Sequence, residues 1–392
     1  MKIVNNSKMN TALTKTTISL SGITLLVSGI RQVHKLSRKN AADQIWKENT
    51  WNKWMFVLWN FDEKEDTFNL RLNSINQRLK EFDKTQSWYP NQSGKIIESL
   101  DKNAINHILH FRKNTQPSNT YPWIFFSFPK SSTIVALLYH YHFDGLVLFN
   151  FIKTVFNIKN QKLSVIKYKY KFPISDIGVM EYTSRQYLKS VNFNPLPKSK
   201  KTCLYNVCLE RNNSNRWMTL GKVMKRIWKY VKMSNNYSQS KKSLRTALTV
   251  AWDDNYKYCK NRIGVIIIDI PYLSTELEYS IFIKENCMKR KNDALMSYDI
   301  IRSFPTYYLR KYWNSSLDII LTSFLIEETG EFKSYNYGQG SFFGKNTKPF
   351  YINSMTVGDK IYLSIQTTTI VFNEKKFLKE PNSRKICEFY DF

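Results

Sequence analysis

The sequence predicts a two-domain α+β protein in which strands and helices mix irregularly in both halves. Three observations carry that prediction. A chain of 392 residues is longer than one ordinary core accommodates. Short apolar runs of strand length and longer runs of helical period occur on both sides of the middle, without the regular alternation of a βα fold. Residues 192–201 hold Pro195 and Pro197 beside the basic cluster Lys198-Ser199-Lys200-Lys201, the composition of a linker. Hydrophobic residues at 42% and aromatics at 15% supply material for two cores and exclude a disordered chain. The division is an N-terminal segment (1–44), a first domain (45–191), a linker (192–204) and a second domain (205–392).

In chain order, residues 16–30 are uncharged, follow Lys2, Lys8 and Lys15, and include Ile23 to Val27, apolar except for Thr24. A membrane span needs about 20 mostly apolar residues. This stretch is shorter and rich in Ser and Thr. A weak signal peptide, an interfacial anchor and a buried element all remain open, and a buried or interfacial segment is the preferred reading. Met55 to Trp59, in a Trp-rich region, reads as a short buried strand. Leu70, Leu72, Ile75, Leu79 and Phe82 give Asn69 to Phe82 a helical spacing. Trp123 to Phe128 and Thr133 to His140 read as strands joined by Pro129-Lys130-Ser131-Ser132. Leu148, Phe151, Ile152 and Val155 then fall at helical spacing, so a helix begins directly after Gly145. In the second half, Leu244 to Trp252 suggests a helix and Ile263 to Ile270 a strand. A mostly helical region to about Trp313 follows, then strands at Leu317–Ile326 and Ile361–Phe372 around a loop at Gly338–Gly344.

The formal charge is +28, from 59 Lys and Arg against 31 Asp and Glu, which favours anionic partners in general. The basic residues are scattered through a Lys- and Asn-rich chain, with no nucleic-acid-binding signature, so nucleic acid is not the expected partner. Five cysteines without a Cys-x-x-Cys pair indicate neither a disulfide framework nor a zinc ribbon. His107 and His110 are three apart, but no third ligand follows them, so no metal is expected.

Two of the five histidines lie in Tyr139-His140-Tyr141-His142-Phe143-Asp144-Gly145. This segment resembles the His-x-x-x-Asp-Gly motif of the CoA-dependent acyltransferase superfamily, with His140, Asp144 and Gly145 at the motif positions. The resemblance implies that His140 is the catalytic base. A histidine near its ordinary pKa takes a proton from a hydroxyl or amine and returns it to a departing thiolate, without a covalent acyl-enzyme. It implies a structural role for Asp144, and Gly145 lets the chain turn into the helix. His142 lies within the spacer and is not the expected base.

The likeness is loose, covers about residues 45–385, and is nearest to the wax ester synthase/diacylglycerol acyltransferase branch. That branch has Ser-Asn in a second-domain strand. Here the matching place reads Leu321-Thr322-Ser323-Phe324, so the Ser is kept and the Asn is not. Ser323 or Thr322 would be an oxyanion donor or substrate contact, or else an ordinary strand hydroxyl. Tyr139 replaces the second His that often precedes the catalytic one, and the Asp-Phe-Gly-Trp-Gly motif of plant alcohol acyltransferases is missing. The resemblance implies two chloramphenicol-acetyltransferase-like sandwich domains with the active site in a tunnel between them. It further implies acyl-CoA as co-substrate, a hydroxyl acceptor that is lipidic in the nearest branch, and no metal. An intracellular location, cytoplasmic or membrane-associated, fits this reading, with peripheral contact through the N-terminal segment. The competing reading is a catalytically inactive descendant that serves as a basic binding or scaffold protein. The oligomeric state stays open.

Overall fold

Trp54–Phe61, apolar except for Asn60, forms β1 at the heart of the first lobe. The computed structural model describes Gly29 and residues 54–85, 93–99, 103–114, 121–139, 143, 145–159, 166–167, 201–212, 215–233, 241–253, 263–294, 317–327, 329–331, 334–341, 350–368 and 372–390. The segment at 16–30, apart from Gly29, lies outside these residues, as does most of the linker. Among the described residues no helix is long and apolar enough to cross a membrane.

The first lobe is a five-stranded sheet with helices on both faces. After β1 come α1 (Glu65–Thr85), β2 (Lys95–Glu98), α2 (Ala104–Asn114), β3 (Trp123–Phe128), β4 (Thr133–Tyr139), α3 (Gly145–Val155) and the short β5 (Ile166–Lys167). The expected pair β3–β4 is an antiparallel hairpin closed by a 3-10 turn at Pro129–Ser131. Alternation sorts the strands. Val57, Trp59, Ala136 and Leu138 pack with Phe68, Leu72, Ile75 and Leu79 of α1 and Phe151 and Ile152 of α3. Phe56, Leu58, Val135 and Leu137 pack on the other face with Ala104 and Ile108 of α2. Leu70 departs from the expected apolar stripe of α1: it is 71% exposed and points to solvent.

The second lobe is an eight-stranded mixed sheet covered on one face by two helices. Besides β5, its elements are β6 (Lys201–Glu210), α4 (Arg216–Met233), β7 (Ser243–Asp253), β8 (Ile263–Pro271), α5 (Glu276–Lys289), β9 (Ile319–Ile326), β11 (Phe350–Val357), β12 (Lys360–Thr368), α6 (Glu374–Phe377) and β13 (Ser383–Tyr390); β10 (Ser334–Ser341), between β9 and β11 in the chain, belongs to the first sheet. The order is β13-β6-β12-β11-β9-β7, with β5 and β8 both pairing to β7. Val223, Met224, Ile227 and Trp228 of α4 and Tyr279 and Ile283 of α5 cover this sheet's outer face. The two helices touch through Gly221, where an added Cβ would lie 2.2 Å from the Glu276 carbonyl oxygen.

Two expectations are corrected. Residues 244–252 form strand β7, not a helix. Leu244, Leu248 and Val250 lie on the helix-covered face while Ala247 lies on the other, a period of two that the long ladder to β8 and the short parallel pairing with β9 enforce. Gly338-Gln339-Gly340 lies within strand β10, not a loop. Gly338 lies beside the Leu204 and Ile386 side chains, each 3.5 Å from where its Cβ would be, an ordinary packing distance. The sequence reading assigns no element to residues 205–243, where the end of β6 and all of α4 lie. Strand β6 already begins at Lys201, within the stretch read as linker.

The lobes are joined by β10. Although it follows β9 of the second sheet in the chain, β10 pairs antiparallel with β1 and completes the edge of the first sheet.

Candidate active site after the fourth strand

His140 and Asp144, the residues on which the motif rests, lie outside the described residues, and so does His142. Their flanks are described. Tyr139 ends β4, with its backbone N–H donating to the Pro122 carbonyl at 2.9 Å. Phe143 is completely buried, and its N–H returns to the Tyr139 carbonyl at 3.1 Å. Its ring meets Phe151 of α3 edge-on, with centroids 5.7 Å apart. Gly145 opens α3. Phe143 therefore packs against the helix that follows, and α3 begins at Gly145, as its apolar spacing predicts.

The second lobe turns a polar row towards the first. Thr322 of β9, Asn353 of β11, Ser364 of β12 and Asn206 of β6 are cross-strand partners in one continuous line. The same face carries Phe324, Met355 and Tyr362, which pack into the first lobe's core. Three of the four residues grip the outward edge of β10. Asn206 Nδ2 donates to the Tyr337 carbonyl, Ser364 Oγ accepts from the Gln339 N–H at 2.9 Å, and Asn353 Nδ2 donates to the Gln339 carbonyl at 3.2 Å. An edge strand has unpaired backbone groups on its outer side, and these side chains satisfy them. The Tyr337 hydroxyl adds a hydrogen bond to Gln339 Oε1, and burial raises the Tyr337 phenol well above its ordinary value.

Thr322 ends this row and is only partly buried, whereas the neighbouring Asn353 is 1% exposed and its Oδ1 has no partner among the described residues. Ser323 lies on the opposite side of the pleat. It pairs with Ser354 and shares the face of Leu321, which is covered by α4 and α5. The two hydroxyls thus face opposite ways, and only Thr322 faces the first lobe. Register relates this row to the strand end that carries the motif. Gln339, Val57 and Ala136 are partners across β10, β1 and β4, and Tyr139 is three residues beyond Ala136. Two strand spacings across and three residues along separate the backbones of Gln339 and Tyr139 by roughly 14 Å.

Other candidate chemistry is absent among the described residues. Burial raises the thiols of Cys203, Cys208, Cys287 and Cys387, the last to about 12, so they are neutral thiols and poor nucleophiles. His107 is packed edge-on against Phe126 and Phe128, with its Nδ1 3.4 Å from Ser99 Oγ. No group of three metal-binding side chains occurs among the described residues. The polar row was not anticipated from the sequence. Its signal is a few Asn, Ser and Thr residues inside otherwise apolar strands, such as Asn353 in Phe350–Val357, which only the cross-strand register reveals as a line.

Two helix-backed sheets, one completed by a strand from the other half of the chain, make a two-lobed α+β fold. Among solved structures, the chain is similar to a variant of the starter condensation domain of rhizomide synthetase RzmA in a product-released conformation. The identity is 8%, the TM-score 0.50, and 86% of this chain and 89% of that one are covered. A variant of that domain in complex with C8-CoA and Leu-SNAC gives the same figures. A further variant, in complex with C8-CoA, has 9% identity, the same coverage and a TM-score of 0.50. At this identity the likeness carries the fold alone. No protein-family model and no curated protein matches the sequence.

Proposed function

We propose that this chain is a CoA-dependent acyltransferase that moves an acyl group from acyl-CoA to a hydroxyl acceptor, with His140 as general base. The observation that supports the reading is the buried Phe143, whose N–H returns to the Tyr139 carbonyl between the end of β4 and the start of α3, the two elements that flank the His-x-x-x-Asp-Gly segment in sequence. His140 takes the proton of the acceptor hydroxyl as its oxygen attacks the thioester carbonyl. The tetrahedral oxyanion collapses, the carbon–sulfur bond breaks, and His140 passes the proton to the CoA thiolate, leaving an ester. Asp144 and Gly145 hold the turn. Thr322, on the face turned to the first lobe, is the better placed of the two strand hydroxyls for the oxyanion, and Ser323 has no part in the chemistry. No metal is required. The similar condensation domain in complex with C8-CoA supports acyl-CoA as the donor, and its complex with Leu-SNAC makes an amine the acceptor to test against hydroxyl compounds. The protein acts inside the cell, in the cytoplasm or at a membrane that its N-terminal segment touches.

The test is release of free CoA from several acyl-CoAs with alcohol, diacylglycerol and amine acceptors. Turnover with hydroxyl acceptors, lowered about 10²–10⁴-fold in His140→Ala, is expected. Transfer confined to amines overturns the acceptor assignment. No transfer at all overturns the enzyme, and the binding-protein reading replaces it.

A further inference from the structure

Helix α4 contains no acidic residue, and Lys222, Lys225, Arg226, Lys229 and Lys232 recur along it at intervals of three and four. The opposite stripe, Leu220, Val223, Met224, Ile227 and Val231, is buried on the sheet, so the cations share the outer face. Together with Lys376 they line an open cleft of about 620 Å³ floored by Leu209, Met233 and Leu273. Two carboxylates oppose these six cations: Glu276 lines the same cleft, and Glu380 pairs with Arg226 at 2.9 Å and Lys229 at 2.6 Å. The face keeps a cationic surplus.

A second, independent feature adjoins it. Of the six large hydrophobic residues that are strongly exposed among the described residues, four lie on α5 or just before it: Tyr272 (52%), Leu277 (55%), Ile281 (48%) and Met288 (60%). Leu277, Ile281 and Met288 share one face with Lys284, at helical spacing. The buried Tyr279 and Ile283 point the other way, into the core, so α5 is apolar on two sides. The exposed stripe therefore serves no packing within this chain's described residues. Backbone contact at Gly221 makes α4 and α5 direct neighbours, and Lys232 Nζ lies 3.0 Å from the centroid of the Tyr272 ring, where the two features meet.

A row of lysines alone is an ordinary solvated face, and an exposed apolar stripe alone does not specify its partner. Side by side they match one kind of surface: anionic headgroups meet the cations while aliphatic side chains enter the boundary with the acyl chains. A nucleic acid would use the cations and the Tyr272 ring but would leave Leu277, Ile281 and Met288 in water. We propose that the outer face of α4 and α5 is a docking surface for an anionic phospholipid bilayer. Glu276, Glu278 and Glu285 of α5 moderate the contact, which makes it peripheral and reversible. The proposal stands apart from the acyl-transfer reading and from the N-terminal segment.

The experiment is co-sedimentation of the full chain with vesicles of phosphatidylcholine alone and with about a quarter phosphatidylserine, the anionic lipid supplying the surface potential. Wild type is expected to bind the anionic vesicles and to be released by high salt. Lys225→Gln with Lys229→Gln should weaken binding about 25-fold, a factor of about five for each cation near the surface. Leu277→Ser with Ile281→Ser should weaken it as well. All four positions are solvent-facing, and matched circular dichroism and melting check that folding is kept. Failure of wild type to bind anionic vesicles overturns the proposal. So does binding that either double variant leaves unchanged, which would assign the contact to another part of the chain. Tighter binding to a DNA oligonucleotide than to vesicles, insensitive to Leu277→Ser/Ile281→Ser, would make this a polyanion site and overturn it too.

Discussion

Replacing Asn206 by Ala isolates the contact that holds β10 in place. Asn206 is 2% exposed and Tyr337 is fully buried, so truncation leaves the Tyr337 carbonyl without the donor it has on the outer edge of the strand. An orphaned buried acceptor costs about 1–3 kcal/mol, and about 2 kcal/mol is a fair central value. For lobes of this size a loss of 1 kcal/mol lowers Tm by about 2–4 °C, so Asn206→Ala should melt about 4–8 °C below wild type. Ser364→Ala removes the acceptor for the Gln339 N–H on the same edge, and the double variant should split one calorimetric transition into two as the lobes unfold separately. The control is Lys360→Ala. Its partner Glu210 and its own side chain are both about half exposed, and a surface pair contributes no more than about 1 kcal/mol. If Asn206→Ala melts no lower than Lys360→Ala, the row does not clamp β10.

Two further outcomes are expected, from the motif spacing, the strand register and the helix contact. In single-turnover thioester cleavage, His140→Ala should be the most damaging substitution and His142→Ala much milder, while Thr322→Ala should slow the reaction more than Ser323→Ala; the reverse order at either pair refutes the assignment. Gly221→Ala places a methyl group 2.2 Å from the Glu276 carbonyl oxygen and 2.9 Å from the Ser280 backbone nitrogen. Overpacking of roughly 1–3 kcal/mol should exceed the helix-propensity gain of at most about 1 kcal/mol, so Tm should fall, and a rise would show that α4 and α5 separate freely.

Much of the first lobe was legible because each of its elements carries one period. Phe68, Leu72, Ile75, Leu79 and Phe82 give α1 a helical stripe, and the continuous apolar runs of β3 and β4 suit strands buried on both faces. The second lobe was harder to read. Leu244 and Leu248 satisfy a helical spacing as well as a strand spacing, and only the ladders on either side of β7 decide between them. Glycines at 338 and 340 read locally as a loop, whereas the pairing of Ser334–Ser341 with β1 is a long-range fact. The stripe of α4 was present in the sequence at Val223, Met224, Ile227 and Val231, but dispersed lysines masked it as general basicity. The end of β4 at Tyr139 and the start of α3 at Gly145, which flank His140 in sequence, were legible from local signals. The polar row at Thr322, Asn353, Ser364 and Asn206 was not, since four distant segments must align before it exists.

The strand exchange also orders the events of synthesis. While the ribosome is still making the second half, one edge of β1 has no neighbour, because its partner Ser334–Ser341 follows it only after all the intervening elements from α1 to β9. Until then the nascent first lobe presents Trp54, Phe56, Leu58 and the rest of a bare hydrophobic strand edge, a template for wrong pairing. Completion of the first sheet is therefore a long-range event rather than a local one, which slows folding. A fragment ending near residue 200, cut where the domain boundary looks most natural, would carry that open edge permanently.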